Sequence, residues 1–114
     1  MDHLSASMRA RVLEALTLLA SEEKQREYQR TVPNAGVPAE LFNQWDDCYF
    51  PQDASFRAGF AASELGALAQ FDRVLNRVCD DTPNELPALG EFLATEAWRT
   101  LSAAARDALS ALGG

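Results

Sequence analysis

The residues best suited to chemistry in this sequence are acidic, and four of them form two adjacent pairs, Asp46-Asp47 and Asp80-Asp81. Carboxylate oxygens are ligands for Mg²⁺ or Ca²⁺, and two carboxyl groups can act as a general acid and a general base. Adjacent residues on a helix point about 100° apart, however, so neither pair converges on one ion. The sequence also contains neither an EF-hand spacing nor a Glu-x-x-His motif. We therefore predict no metal or other cofactor, and a small carboxylate- or metal-dependent enzyme remains the alternative.

Candidate nucleophiles lack a partner base. Cys48 and Cys79 lie among carboxylates, which raise the pKa of a thiol and weaken it as a nucleophile. His3 is the sole histidine and lies at a chain terminus, where a stable position is not expected. No glycine-rich phosphate loop is present. We expect a protein that is not an enzyme, with both cysteines as reduced, semi-buried thiols.

Charge is distributed in blocks along the 114 residues, whose net charge is −7. Residues 31–56 carry four acids and residues 80–96 carry five, and neither block contains a base. Such acidity repels phosphate backbones, so we expect no direct nucleic-acid binding. It favours a basic protein partner, because complementary potentials accelerate encounter and set specificity. The alternative is that the charge only keeps a small protein soluble.

The segment Gln44–Asp53 combines three aromatic residues with three carboxylates and has no basic side chain. Its adjacent aspartates are expected near a helix C-terminus, where each negative charge costs about 0.3–1 kcal/mol. Aromatic residues flanked by carboxylates are typical of an interface with a basic surface. Equally, the aromatic side chains can pack in the core and Asp53 can cap the next turn. The predicted partner contacts are Glu40, Asp46, Asp47, Asp53, Asp80, Asp81 and Glu85, with Trp45 and Tyr49 as anchors.

The elements that must position these residues are helices. Alanine and leucine dominate the apolar residues, and β-branched residues are few. An amphipathic stripe predicts a first helix, capped by Ser5 or Ser7 and continuing to about Arg30 unless Ser21 begins a separate helix. Proline and spacing predict a second helix from Pro38 to Asp47.

Later segments follow the same pattern. Phe56 and Phe60 indicate a short helical turn, and a long helix begins at Ser63 and ends near Asp80. Thr82-Pro83-Asn84-Glu85 matches a capping box, and Thr95 is expected to cap a last helix unless one bent helix runs through it. The expected fold is all-α, a single domain over residues 1–114 arranged as an irregular bundle of about five helices. A helical regulatory or structural subunit is a third functional alternative.

The sequence shows neither a membrane-spanning run nor an N-terminal export signal. No run of 18 apolar residues occurs, and the first residues lack the charged and apolar regions of a signal peptide. We therefore expect a cytoplasmic protein that does not cross a membrane.

Four stretches carry a family resemblance: Gln25-Arg26-Glu27-Tyr28 through Val32-Pro33, Val37-Pro38-Ala39-Glu40-Leu41, Trp45-Asp46-Asp47-Cys48-Tyr49 and Phe60-Ala61-Ala62-Ser63-Glu64-Leu65. Over about residues 22–80 the chain resembles immunity proteins of bacterial contact-dependent growth inhibition systems. The resemblance implies a cytoplasmic inhibitor that binds a cognate toxin domain, often a nuclease, and blocks its active site or substrate surface. These families are diverse in fold and have no catalytic residues to transfer.

Overall fold

The computed structural model describes residues 2–34, 36–81 and 89–113, which contain seven α-helices and no β-strand. The helices are α1 (His3–Ala20), α2 (Glu22–Thr31), α3 (Val37–Cys48), α4 (Ala54–Ala58), α5 (Ala62–Asp81), α6 (Leu89–Leu93) and α7 (Glu96–Ala111). The all-α prediction is confirmed. The predicted count of about five is too low because the first predicted helix is two helices and because α4 and α6 are short separate elements.

Helix α1 begins earlier than predicted because Asp2, not Ser5 or Ser7, is its N-cap. The Asp2 carboxylate accepts a hydrogen bond from the Ser5 backbone N–H at 2.7 Å. Ser5 is fully buried inside the helix, and its hydroxyl donates to the Ser55 carbonyl at 2.7 Å. The first turn of α1 thereby attaches to α4. A Cβ atom at Gly59 would lie 2.8 Å from the Ser5 carbonyl oxygen, so this close approach requires glycine.

The expectation of one continuous helix to Arg30 is wrong, and the alternative of a new helix at Ser21 is confirmed. Ser21 caps α2 by accepting from the Lys24 N–H at 3.2 Å. The break leaves carbonyl groups at the end of α1 without intrahelical partners. Side chains from elsewhere supply them: Gln25 donates to the Leu18 and Leu19 carbonyls at 3.0 and 3.3 Å.

Helix α7 completes this junction between α1 and α2. Ser102 and Arg106 donate to the carbonyl of Ala20 at 3.3 and 3.4 Å. The indole N–H of Trp98 donates to the Gln25 side-chain oxygen at 3.1 Å. Gln25 is fully buried, and these contacts satisfy both its amide nitrogen and its amide oxygen. The break is therefore stabilised by residues more than 70 positions away in the chain.

The predicted second helix is confirmed to within one residue at each end, since α3 runs Val37–Cys48 with Pro38 in its first turn. The predicted turn at Phe56 is confirmed as α4, and the long helix begins at Ala62. Thr95 caps α7 as predicted, accepting from the Trp98 N–H at 3.1 Å. The predicted capping box at residues 82–85 lies outside the described residues.

The core lies between α1, α3, α5 and α7. Helix α1 packs most extensively against α7 and also contacts α3 and α4, while α5 packs against α7. The largest fully buried side chains are Trp45, Phe56, Phe71, Phe92, Leu16, Leu19, Leu41, Leu68, Leu75, Leu101, Gln25 and Val12. Within the described ranges, no helix combines the length and the apolar character needed to cross a membrane.

Arginine 9 links three parts of the bundle. Its guanidinium forms two hydrogen bonds of 2.9 Å with the Glu64 carboxylate and donates to the Gly59 carbonyl at 3.0 Å. It also lies 5.3 Å from the centroid of the Phe60 ring, within range of a cation–π interaction. The 3.4 Å bond to the Leu112 carbonyl connects α1 to the end of α7. These contacts fix the α4–α5 corner against α1.

Candidate partner-binding surface

The last turn of α3 presents two adjacent carboxylates to solvent. Trp45 and Cys48 point into the core, which leaves Asp46 and Asp47 on the outer face of the helix. Neither carboxylate has a basic group within 4.0 Å among the described residues. The last turn of α3 also contains no basic residue of its own to offset the negative end of the helix dipole. The two charges are therefore exposed and unpaired.

The end of α5 lies close to the end of α3. Partial burial raises the pKa of the Cys79 thiol, and the charges of Asp46 and Asp80 raise it further. The charge of Asp46 on α3 therefore acts on a thiol near the end of α5, and the two helices are in contact through Trp45, which bonds to Asp72 and packs on Phe71. Asp80 is exposed, and no basic residue occupies the last turn of α5. Asp81 is the last residue of that helix, and the predicted contact Glu85 lies outside the described residues.

Trp45 lies in the core and is unavailable to a partner in this structure. Its side chain is fully buried, and its indole N–H donates to an Asp72 carboxylate oxygen at 2.9 Å. Its ring stacks on Tyr49 with centroids 4.7 Å apart and contacts Phe71 edge-on at the same separation. The alternative that the aromatic residues pack in the core is correct for Trp45, and of the two predicted anchors Tyr49 is the one that is partly exposed.

Two other predicted contact residues hold the fold together. Glu40 accepts a 2.5 Å hydrogen bond from the Tyr28 hydroxyl, which links α3 to α2. This bond is the main reason that the pKa of Tyr28 is raised. Asp53 is the N-cap of α4 and accepts from the Phe56 N–H at 2.9 Å, as the structural alternative predicted. Both carboxylates therefore have intramolecular partners that Asp46 and Asp47 lack.

Residues 31–56 contain no basic side chain, but the fold places a basic side chain from α1 beside them. Arg11 and Glu14 from α1 line a cleft of about 260 Å³ together with Gln44, Asp47 and Cys48 of α3. Burial raises the pKa of the Cys48 thiol to about 11, with Arg11 opposing the shift and the nearby aspartates adding to it. A count of charges along the sequence misses Arg11 because the helix that carries it packs against α3 only in the fold.

Two further arginines lie near Tyr49. Burial raises the pKa of the Tyr49 hydroxyl and the Asp72 carboxylate adds to this, while the charges of Arg73 and Arg57 oppose it. Arg57 donates to the Pro51 carbonyl at 3.0 Å, and Arg73 donates to the Gln70 side chain at 2.5 Å. Both guanidinium groups are thus engaged by neighbouring residues.

The predicted anchors were Trp45 and Tyr49, and Phe50 was not among the predicted contact residues. Its side chain is 40% exposed, and it lines a shallow depression of about 440 Å³ formed by Tyr49, Phe50, Pro51, Gln52 and Asp53. The available signal was its position after the end of α3 and before Pro51, where the helical periodicity that places Trp45 inside no longer applies.

In the part of the chain that the structure describes, no three His, Cys, Asp or Glu side chains lie close enough together to hold an ion. Comparisons with protein-family models, curated proteins and solved structures find no match to this chain.

Proposed function

We propose that this chain is a non-enzymatic binding protein that neutralises a basic partner in the cytoplasm. Specifically, we propose an immunity protein whose partner is the cognate toxin domain, a nuclease, of a contact-dependent growth inhibition system. The observation that carries the proposal is the pair of exposed, unpaired carboxylates Asp46 and Asp47 at the end of α3, with Asp80 nearby at the end of α5. The resemblance over residues 22–80 supplies the class of partner.

The position of these charges opposes stability. A carboxylate in the last turn of a helix costs about 0.3–1 kcal/mol, because the unpaired carbonyl groups there carry partial negative charge. A sequence selected only for stability would have lysine or arginine at Asp46 and Asp47. Local features that disfavour the fold without a structural gain are expected where function requires them. On binding, positive charges of a basic partner would attract these same two carboxylates.

The electrostatic design also fits rapid neutralisation of a toxin. Unpaired surface charges of one sign raise the rate of encounter with a surface of the other sign, and the effect decreases with ionic strength. A nuclease needs a basic surface to hold its phosphate-rich substrate. Carboxylates that dock on this surface would exclude the substrate by occupation and by repulsion.

The test begins with affinity capture by this protein from the producing strain, followed by purification of the retained protein. Binding is then measured by surface plasmon resonance for wild type and for the double variant Asp46→Lys/Asp47→Lys. We expect a basic ligand, an association rate that falls steeply with salt, and about hundredfold weaker binding by the double variant, equivalent to ~2.7 kcal/mol.

A matched control has the same change of net charge on other helices. Glu27 of α2 and Asp107 of α7 are both exposed, and the double variant Glu27→Lys/Asp107→Lys should bind within a factor of about three of wild type. Capture of no basic protein, or equal loss of affinity in the two double variants, would refute the proposal that α3 carries the contact.

A further inference from the structure

A groove between α5 and α7 has an apolar floor and charged edges. It has a volume of about 350 Å³ and is lined by Val74, Arg77, Val78, Glu96, Ala97 and Thr100. Val74 and Ala97 are only half-buried, although the helices that carry them pack extensively against each other. The groove is therefore an apolar surface that the described part of the chain leaves open.

The charged edges of the groove are opposite in sign and unpaired. Arg77 lies on the α5 edge and Glu96 on the α7 edge, and both side chains are exposed. No ion pair of 4.0 Å or less within the described residues includes either of them. The groove thus separates a cation from an anion, and both charges are available to groups outside the molecule.

Arg77 and Glu96 lie at the same level of the groove because α5 and α7 run antiparallel. Arg9 donates to Glu64 at the start of α5 and to the Leu112 carbonyl just after α7, which places these two helix ends together. At the opposite end of the helix pair, Arg77 near the end of α5 and Glu96 at the start of α7 line one groove. A two-fold axis parallel to the groove therefore brings Arg77 of one copy opposite Glu96 of a second copy, and the reverse.

Other charges near the groove do not oppose this pairing. Arg73 lies one turn before Arg77 and is exposed with its positive charge. In the antiparallel arrangement it faces Thr100 of the second copy, which is uncharged and one turn into α7. Asp80 lies almost one turn after Arg77 and faces the residues just before α7, where Ala94 is exposed and uncharged. The contact between two copies therefore forms two pairs of opposite charges and brings no like charges face to face.

Other classes of partner fit the groove less well. A basic protein would bring positive charge against Arg73 and Arg77, and a nucleic acid would bring phosphate against Glu96. An acidic protein would likewise meet Glu96 with a like charge. A copy of this chain supplies both signs at the required spacing, because its own groove carries them.

We propose that two copies of this chain associate through the groove between α5 and α7, with α5 of each copy against α7 of the other. The association forms two Arg77–Glu96 pairs around Val74 and Ala97, whose short side chains let the helices approach closely. This inference is independent of the proposed function, since the aspartates of α3 do not line the groove. The dimer is weak and depends on concentration, because a single groove buries little surface and exposed ion pairs contribute modestly.

Sedimentation equilibrium of the full chain measures the dissociation constant of the dimer. Loading concentrations from about 10 μM to about 1 mM cover the range expected of a small interface. Salt at about 0.15 M screens the repulsion between two chains beyond about 8 Å, which is needed because each chain has a net charge of −7. We expect a monomer–dimer equilibrium for wild type. Arg77→Glu and Glu96→Arg should each weaken association about tenfold or more, since either change creates two contacts between like charges.

A mixture of the two single variants separates pairing between copies from a general effect of charge. In the mixed dimer the introduced glutamate faces the introduced arginine, and the remaining native Arg77 and Glu96 face each other. We expect the mixture to associate within about threefold of the wild-type constant, although each variant alone associates weakly. The matched controls Arg30→Glu and Glu27→Arg change the net charge equally at exposed positions of α2. Each control alone should dimerise within about threefold of wild type.

Two results would overturn the dimer. The first is a wild-type protein that sediments as a monomer at about 1 mM. If the captured basic partner also bound more weakly to Arg77→Glu than to wild type, the groove would belong to that partner instead. The second is a mixture that associates no better than its two components, because Arg77 would then not face Glu96 between copies. Thermal melts check that every variant is folded.

Discussion

Replacement of Gln25 by leucine should destabilise the protein far more than the similar size of the two side chains suggests. Gln25 is fully buried, and its side chain donates to two carbonyl groups at the end of α1 and accepts from the Trp98 indole. Leucine fills a similar volume but cannot replace any of these hydrogen bonds. A buried hydrogen bond contributes about 1 kcal/mol net, and a buried polar group left without a partner costs about 1–3 kcal/mol.

The expected loss of stability depends on which of these groups can form a hydrogen bond with something else. The Leu18 carbonyl also accepts from the Ser21 N–H, and half-buried Trp98 can reach water, so their cost is moderate. The Leu19 carbonyl lies beside the helix break, where the intrahelical bond is lost. We expect Gln25→Leu to lower the free energy of unfolding by about 2–3 kcal/mol and Tm by about 8–12 °C.

The matched control is Gln29→Leu, one helical turn further along α2. The Gln29 side chain donates to the Val32 and Pro33 carbonyls, but both bonds are exposed to water and their loss should cost less than about 0.5 kcal/mol. Urea unfolding followed by tryptophan fluorescence measures both variants. If Gln25→Leu were as stable as the control, the reasoning that α7 and α2 stabilise the break at Ser21 would be wrong.

Three further predictions concern charge and thiol chemistry. Asp46→Asn/Asp47→Asn should raise the free energy of unfolding by about 0.6–2 kcal/mol, seen as a higher Tm, while weakening partner binding. The hydrogen bonds from the Arg9 guanidinium lower the pKa of the Glu64 carboxyl from its ordinary 4.5. The Arg9–Glu64 pair therefore stabilises the fold above that pH, and its contribution is lost as the pH falls and the carboxylate is protonated. Glu64→Gln should therefore show a smaller decrease in urea-unfolding stability on acidification than wild type. With its pKa raised to about 11, buried Cys48 should react with a thiol reagent only on unfolding, whereas exposed Cys79 should react in the native protein.

Local patterns in the sequence predict most of the helices. The apolar repeat through Leu68, Phe71, Leu75 and Val78 describes the buried face of α5, and all four side chains are buried. The positions of Pro38 and Thr95 mark the first turn of α3 and the cap of α7. Such features act over a few residues, so periodicity and capping chemistry suffice to find them.

The break at Ser21 could not be predicted in the same way. Apart from Tyr28, residues 22–30 have charged or amide side chains with good helix propensity, and locally they continue α1. Separation at Ser21 depends on donors to the last carbonyls of α1, which come from Gln25 of α2 and, once α7 is in place, from Ser102 and Arg106. Propensity scales contain no such long-range contacts.

The candidate site was predicted in part. The sequence was sufficient to predict that Asp46 and Asp47 lie near the end of α3, because the free-energy cost of negative charge at a helix C-terminus depends only on nearby residues. The burial of Trp45 and the exposure of Phe50 depend on how α3 packs against α5 and α4, and the nearby arginines come from three other helices. Sequence reasoning therefore located the charge but not the apolar part of the surface.

The packing of α1 against α7 has a consequence for synthesis on the ribosome. The Ala20 carbonyl at the end of α1 accepts hydrogen bonds from Ser102 and Arg106, and Arg9 donates to the Leu112 carbonyl. The nascent chain therefore cannot complete its core until α7 has left the exit tunnel. At about 5–20 residues per second, the interval between emergence of α1 and of α7 lasts several seconds. During this interval the apolar face of α1 lacks its cover from α7 and is available to chaperones.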